Sequence, residues 1–384
     1  MSEHFQQRVQ DLQQRMQDNH IDVALIVDED CINYFSAYWG YLGMQFGRPT
    51  ILVIPKSGEC TIITPGMEAE MAREMTWIED IREWADAVGD EWREHIDAIL
   101  QKAPDITIGL EPLKTPPVVL NYLKTDYSSD RFADLSTILD EMRMIKSEEE
   151  IKIMRQAGQV SVAMCEGALQ VIDVGVPEYE IALALISAGT RKAAQFLDNV
   201  GPERLFSPMI YNLPVLQSGP DLSMVHRRAT TRCIQKGDPV YMCFCELTNF
   251  KGYKIGFDRE YFVDSVTDEQ AKAYETALKA QAAALDMIKP GAIAEEVHAA
   301  SLEVYRENGY DMCYRSGRGI GYSYLEKPEL KEGDTTILKP GMTFAVDGGI
   351  TIPGEFGARV GDSVVVTDQG FEYLTPYPKE LTVL

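Results

Sequence analysis

Basic charge, histidine and long apolar runs are all scarce in this chain of 384 residues, and each shortage excludes something. Lysine and arginine number 36 against 60 aspartates and glutamates, a formal charge of −24 that repels phosphate backbones and anionic lipid surfaces. No nucleic-acid partner is expected. No stretch approaches the roughly 20 apolar residues of a membrane span, and the opening MSEHFQQRVQDLQQRMQDNH carries charge where a secretory signal needs an apolar core. A cytoplasmic protein without membrane association is therefore expected. Seven cysteines contain no C-x-x-C pair of the kind that marks zinc or redox sites, and the odd number suits a reducing compartment. Cys243 and Cys245, two apart in VYMCFCEL, fall on one face of a strand and read as buried reduced thiols. Short-period repeats and low-complexity tracts are missing too.

What is present is the composition of an ordinary globular protein, 45% hydrophobic and 25% charged, with length for two or three domains. Val9, Leu12 and Met16 lie on one helical stripe, IDVALIVDED reads as a buried strand, and GRPTILVIPKSGECTIITP gives two strands around a Lys-Ser-Gly turn. Mixed elements continue to about residue 140. Ser147 with Glu150 three later then forms a helix-starting capping box, which opens a second domain. Beyond it come strands over 240–265, a long helix from Thr267 to Met287, a helix over AEEVHAASLEVYRENG stopped at Gly309, and a strand-rich tail whose VGDSVVVTDQGFEYLT is a hairpin. The fold class is α/β (α+β), with domains at residues 1–141 and 142–384.

There are only five histidines, at 4, 20, 95, 226 and 298, which sharply limits the choice of a general base. His4, His20 and His95 belong to polar helical surfaces and His298 to a helix. His226, in SMVHRRATTRCIQKGD, sits on an irregular segment leading into a strand, where loop-borne catalytic groups are common. Asp258, with Arg259 and Glu260 beside it, reads either as a salt-bridged hairpin or as part of a site. Asp347 closes an apolar strand before Gly348 and Gly349, either as a turn residue or as a site residue. GRGIG at 317–321 follows no strand and opens no helix, which argues against a dinucleotide loop.

The order HRRATTRCIQKGD, GYKIGFDR, GRGIG, LKPGMTFAVD, GARVGD resembles the creatinase and methionine/prolyl aminopeptidase family, and NYFSAYWGYLGMQFGRPTILVI with MRMIKSEEE extends the likeness to its two-domain members. The resemblance implies a smaller creatinase-type N-terminal domain and a C-terminal pita-bread domain. The family's peptidases hold two metal ions with two Asp, one His and two Glu; those positions fall here on Cys243, Gly256, Arg318, Asp347 and Gly361. On that basis the resemblance points to the creatinase branch, with no metal and no cofactor. His226 is then the catalytic acid and base, Asp258 and Asp347 grip a guanidinium, and Phe46, Arg48, Arg318 and Tyr253 contact the substrate. The implied protein is a metal-independent, creatinase-like hydrolase of a non-peptide C–N bond in a small guanidine or amidine zwitterion. It is expected to be a homodimer whose site is completed by the neighbouring N-terminal domain. Ring opening of an ectoine-type cyclic amidine, lysis of a small onium carboxylate and an inactive binding protein are the alternatives.

Overall fold

The structure, a computed structural model, describes residues 2–40, 48–85, 91–100, 105–210, 214–245, 247–311 and 315–384. It divides into two compact units, Met1–Met142 and Arg143–Leu384.

The first unit is a six-stranded mixed sheet flanked by helices. Its strands are β1 (Val23–Ile26), β2 (Ile51–Pro55), β3 (Thr61–Pro65), β4 (Asp80–Trp84), β5 (Ile108–Leu110) and β6 (Phe132–Asp134), in the order β4-β3-β2-β1-β5-β6. Alternate residues Val23 and Leu25 of β1 and Ile51 and Val53 of β2 pack with Trp84, Trp92 and Ile96 in one core. The opening helix, Ser2–Asp18, buries the Val9, Leu12 and Met16 stripe that its spacing predicts.

The second unit is built on an antiparallel sheet in the order β13-β12-β14-β15-β11-β8-β7, with β16 paired to β15. Its strands are β7 (Val215–Ser218), β8 (Pro239–Cys243), the hairpin β9 (Asn249–Phe250) and β10 (Tyr253–Lys254), β11 (Asp258–Phe262), β12 (Gly317–Gly319), β13 (Glu326–Leu330), β14 (Thr343–Ile352), β15 (Phe356–Thr367) and β16 (Gly370–Tyr373). The helix Glu148–Leu169 starts at a capping box in which Ser147 and Glu150 exchange hydrogen bonds, and Thr267 with Gln270 does the same for Asp268–Met287. Gly309, after the helix Ala294–Glu307, takes φ +80°, the left-handed conformation that ends helices cheaply. No helix among the described residues is long and apolar enough to cross a membrane.

Register matters most here. Val215 pairs with Cys243, Cys243 with Asp258, Asp258 with Gly361, and Gly361 with Asp347. Directly opposed residues of an antiparallel sheet share a face, so residues 132 positions apart in sequence form one transverse row with strands about 4.8 Å apart. Arg318 pairs with Ala345, two residues from Asp347, and so points to the same face.

One expectation about β14 changes. Asp347 does not close the strand: pairing runs on through Gly348 and Gly349 to Ile352. The helix Asp268–Met287 presses so closely on this strand that a Cβ at Gly348 would lie 2.2 Å from the carbonyl oxygen of Ala277. These glycines make room for a helix and do not form a turn.

Candidate functional site

At the centre of the row, Arg318 Nη1 donates to Asp347 Oδ2 at 2.7 Å, its Nη2 to Cys245 Sγ at 3.2 Å, and its Nε to the carbonyl of Tyr324 at 3.0 Å. Three donors of one guanidinium are thus fixed on three partners, a geometry a lysine cannot reproduce. The Cys245 thiol donates to Asp258 Oδ1 at 3.8 Å. The other oxygens of the two carboxylates face a gap over Gly361, where a Cβ would lie 2.7 Å from Asp258 Oδ2 and 2.9 Å from Asp347 Oδ1. Asp347 Oδ1 is buried with no hydrogen-bond partner among the described residues. Burial, and after it the charge of Asp347, pushes the Asp258 carboxyl up to about 6. A hydrogen bond with Cys245, then burial, holds the Cys243 thiol well above the usual thiol range.

His226 belongs to a segment that joins the sheet next to this row. Arg228 bridges Val215, which opposes Cys243, so the histidine segment joins the same end of the sheet one strand further out. Gln217 clamps that segment by donating to the carbonyls of Val225 at 3.2 Å and Arg227 at 2.8 Å. Glu178 holds its far side, accepting from Arg227 Nη2 at 2.6 Å, Ser218 Oγ at 2.6 Å and the Thr230 amide at 2.9 Å. Burial acts to raise the Glu178 carboxyl, but Arg227, Ser218 and Thr230 outweigh it and bring it down to about 2. The imidazole of His226 is exposed, and no described residue hydrogen-bonds to it.

The remaining predicted residues are placed elsewhere. Tyr253 is buried with its hydroxyl on Glu150 Oε1 at 3.0 Å and its ring against Tyr322. Arg48 is half-buried in the first unit, and Phe46 lies outside the described residues. Arg259 and Glu260 form no surface hairpin: Arg259 is buried against Asp362 at 2.7 Å, and Glu260 accepts from the Arg359 amide. His298 is buried on Ser316 Oγ, a structural role as expected. Sequence reasoning missed the part played by Cys245, whose only signal was its two-residue spacing from Cys243.

The five positions aligned with a two-ion centre do converge, but their chemistry does not fit one. Cys243 and Asp347 retain donors, Gly256 and Gly361 have none, and Arg318 brings a fixed cation. The packing has closed around the exchanges, for a Cβ at Gly256 would sit 2.4 Å from Ala345 Cβ and 3.6 Å from Arg318 Nη2. Gly256→Asp, which restores a carboxylate there, is expected to destabilise the fold by about 1–3 kcal/mol through overpacking, read as a lower urea midpoint. An unchanged midpoint would show room for a second ion.

An α/β N-terminal unit followed by a pita-bread unit, with a polar row across its sheet, defines a two-domain protein of the creatinase and prolidase type. The chain belongs to the metallopeptidase family M24, whose profile matches residues 152–368, and the creatinase/prolidase N-terminal domain matches residues 8–145. The Agropine synthesis cyclase of Rhizobium rhizogenes is 29% identical over 97% of this chain and 96% of its own. The Xaa-Pro dipeptidase of Lactobacillus helveticus is 28% identical over 97% of this chain and 98% of its own. The prolidase structure from Pyrococcus horikoshii OT3 superposes with a TM-score of 0.82 at 25% identity, covering 98% of this chain and 99% of that one.

These findings correct the functional expectation. The reading as a metal-independent amidinohydrolase of a non-peptide C–N bond is overturned by membership of a metallopeptidase family and by full-length relatives named as Xaa-Pro dipeptidases. The cyclic amidine, onium lyase and inactive alternatives fare no better. The structure supplies a physical reason: Asp347, expected to grip a substrate guanidinium, is already ion-paired with the chain's own Arg318.

Proposed function

We propose that the protein hydrolyses the amide bond of a dipeptide-sized substrate with a free amino terminus. The observation that carries this is the pair of carboxylate oxygens, Asp258 Oδ2 and Asp347 Oδ1, facing each other over Gly361, the latter unpartnered among the described residues. Such a pair is an ammonium receptor, because each oxygen accepts one N–H of a primary amine. The full-length similarity to proteins named Xaa-Pro dipeptidase supports a substrate of that size. His226, clamped on both sides by Gln217, takes a proton from the attacking water and returns it to the departing amine nitrogen. Arg318 pairs with Asp347 and orients it. A second reading, ring closure within one substrate by the same acyl chemistry, is favoured by the similarity to the Agropine synthesis cyclase.

A dipeptide panel with free and acetylated amino termini tests the proposal. Free dipeptides, including Xaa-Pro, are expected to be cleaved and acetylated ones spared, and His226→Asn is expected to lower kcat by about 10²–10⁴. Equal cleavage of acetylated substrates, full activity of the variant, or no turnover of any dipeptide would refute it; conversion of a linear substrate with loss of water would select ring closure. The expected homodimer accords with Met224 and Val225, exposed beside His226 at 48% and 39%, and sedimentation velocity checks it.

A further inference from the structure

We propose that Cys245 and Cys243 are a redox-modification site: Cys245 reacts with hydroperoxides, and Cys243 then closes a disulfide with it. The two sulfurs and a carboxylate oxygen of Asp258 lie within 4.8 Å of one another, and both thiols are free. Phe244 between them is fully buried and stacked on Phe257, so its two neighbours share the opposite face, the one that carries the polar row. Neither cysteine is sealed in. Both are half-buried, whereas Cys31, Cys60 and Cys165 are buried.

The second observation is the charge around the Cys245 sulfur. Arg318 Nη2 donates to it at 3.2 Å from a guanidinium that Asp347 and the Tyr324 carbonyl hold in place, and Asp258 Oδ1 lies 3.8 Å away. A fixed cation stabilises the negative charge that sulfur develops as it attacks, a carboxylate takes its proton, and partly exposed thiols in such surroundings are the reactive ones. Cys243 shares a hydrogen bond with Cys245, which sets the two sulfurs against each other. The roles follow: Cys245 attacks and Cys243 resolves.

In the first step Asp258 Oδ1 takes the Cys245 proton and the sulfur attacks one peroxide oxygen. The S–O bond forms as the O–O bond breaks, and the departing oxygen leaves with that proton as water or an alcohol. Sulfur has lost two electrons to the peroxide and is a sulfenic acid. The Cys243 sulfur then attacks it, the S–S bond forms as the S–O bond breaks, and hydroxide leaves with the Cys243 proton as water. Cα atoms two apart in extended chain are roughly 6.6 Å apart, near the upper limit a disulfide spans, so the bridge closes with little backbone movement and stays reducible. It draws Cys245 off Arg318 and Asp258, and so disturbs the site. The thiol chemistry stands without the dipeptidase reading; only its effect on turnover rests on that reading.

Reduced full-length protein is treated with hydrogen peroxide, blocked with iodoacetamide and digested with trypsin, which leaves both cysteines in one peptide, Gly237–Lys251. That peptide is expected unalkylated and two hydrogens lighter, and doubly alkylated again after dithiothreitol. Cys233, exposed but with its sulfur on the Thr231 carbonyl, is expected to stay reduced and so controls for exposure alone. These readings come from unaltered protein and do not depend on any variant's folding. Arg318→Met, checked for a native circular dichroism spectrum, is expected to slow the oxidation about tenfold or more. Cys243→Ser is expected to stop at a Cys245 sulfenic acid that dimedone traps. A peptide that stays fully alkylated, a bridge to a third cysteine, faster oxidation of Cys233, or a folded Arg318 variant of unchanged rate would overturn the proposal. Bridged protein is expected to lose dipeptide turnover and regain it on reduction; undiminished turnover would refute the effect on the site. A reversible bridge in protein that cleaves no dipeptide would refute the dipeptidase reading alone; cleavage by protein whose thiols never bridge would refute this one alone.

Discussion

Glu326→Gln is expected to lower the unfolding free energy by about 3–5 kcal/mol, because it strands two cations that the fold has removed from water. Glu326 Oε1 meets Arg143 at 2.5 Å and Oε2 meets Lys146 at 2.7 Å, with all three residues at most 6% exposed. A neutral amide still accepts hydrogen bonds but cannot balance either charge. Urea unfolding at neutral pH measures the loss, and a decrease below about 1 kcal/mol, the range of an exposed pair, would show the triad to be solvated. The same carboxylate sets an acid dependence. Burial acts to raise it, but Lys146 and Arg143 prevail and hold it at about 2 against an ordinary 4.5. A depressed carboxyl stabilises the fold above its unfolded value, and that stability is lost as pH falls from 4.5 towards 2. Glu178, also held at about 2, adds to the loss in the same window. The variant's stability is therefore expected to fall less steeply than the parent's over that range.

Arg318→Met is expected to lower kcat/KM on dipeptides by about 10²–10³, the usual consequence of removing one preorganised charged donor from an active site. Methionine fills part of the volume but releases Asp347 Oδ2 and Cys245 Sγ together. With the guanidinium gone, a cation that lowers the Asp258 carboxyl is lost, so Asp258 holds its proton to higher pH and the proposed ammonium receptor loses charge. Arg318→Lys keeps the charge but not the three-way fork and is expected to fall between variant and parent. The check is steady-state kinetics with the pH profile: the methionine variant's profile moves towards higher pH, which loss of packing alone would not cause. Unchanged kcat/KM would remove Arg318 from the site.

Elements with strong local signals were legible in the sequence. The Val9, Leu12 and Met16 stripe became a buried helix face, the Ser147 cap starts the helix expected of it, and the helix expected from Thr267 to Met287 is present. Motif order likewise pointed to the pita-bread fold. The Asp347 strand was read too short because Gly348 and Gly349 look like turn residues until the helix lying across them is seen. The substrate was misread because the acids looked free to hold a guanidinium, whereas only packing reveals that Arg318 already pairs with one of them. Cys243 and Cys245 gave no signal of a site because the acid that Cys245 meets, Asp258, comes from another strand.

The sequence by itself determined which segments are helices and strands, the order of the domains and the family, since periodicity, caps and motifs act over a few residues at a time. The tertiary structure alone decided which chemistry-bearing side chains meet. Cross-strand register puts Cys243, Asp258, Gly361 and Asp347 in one row, and the glycines leave the space in which their charges face one another. Such pairing joins strands far apart in the chain, and the alternation within one strand says which face a residue takes but not which residue of a distant strand stands opposite it.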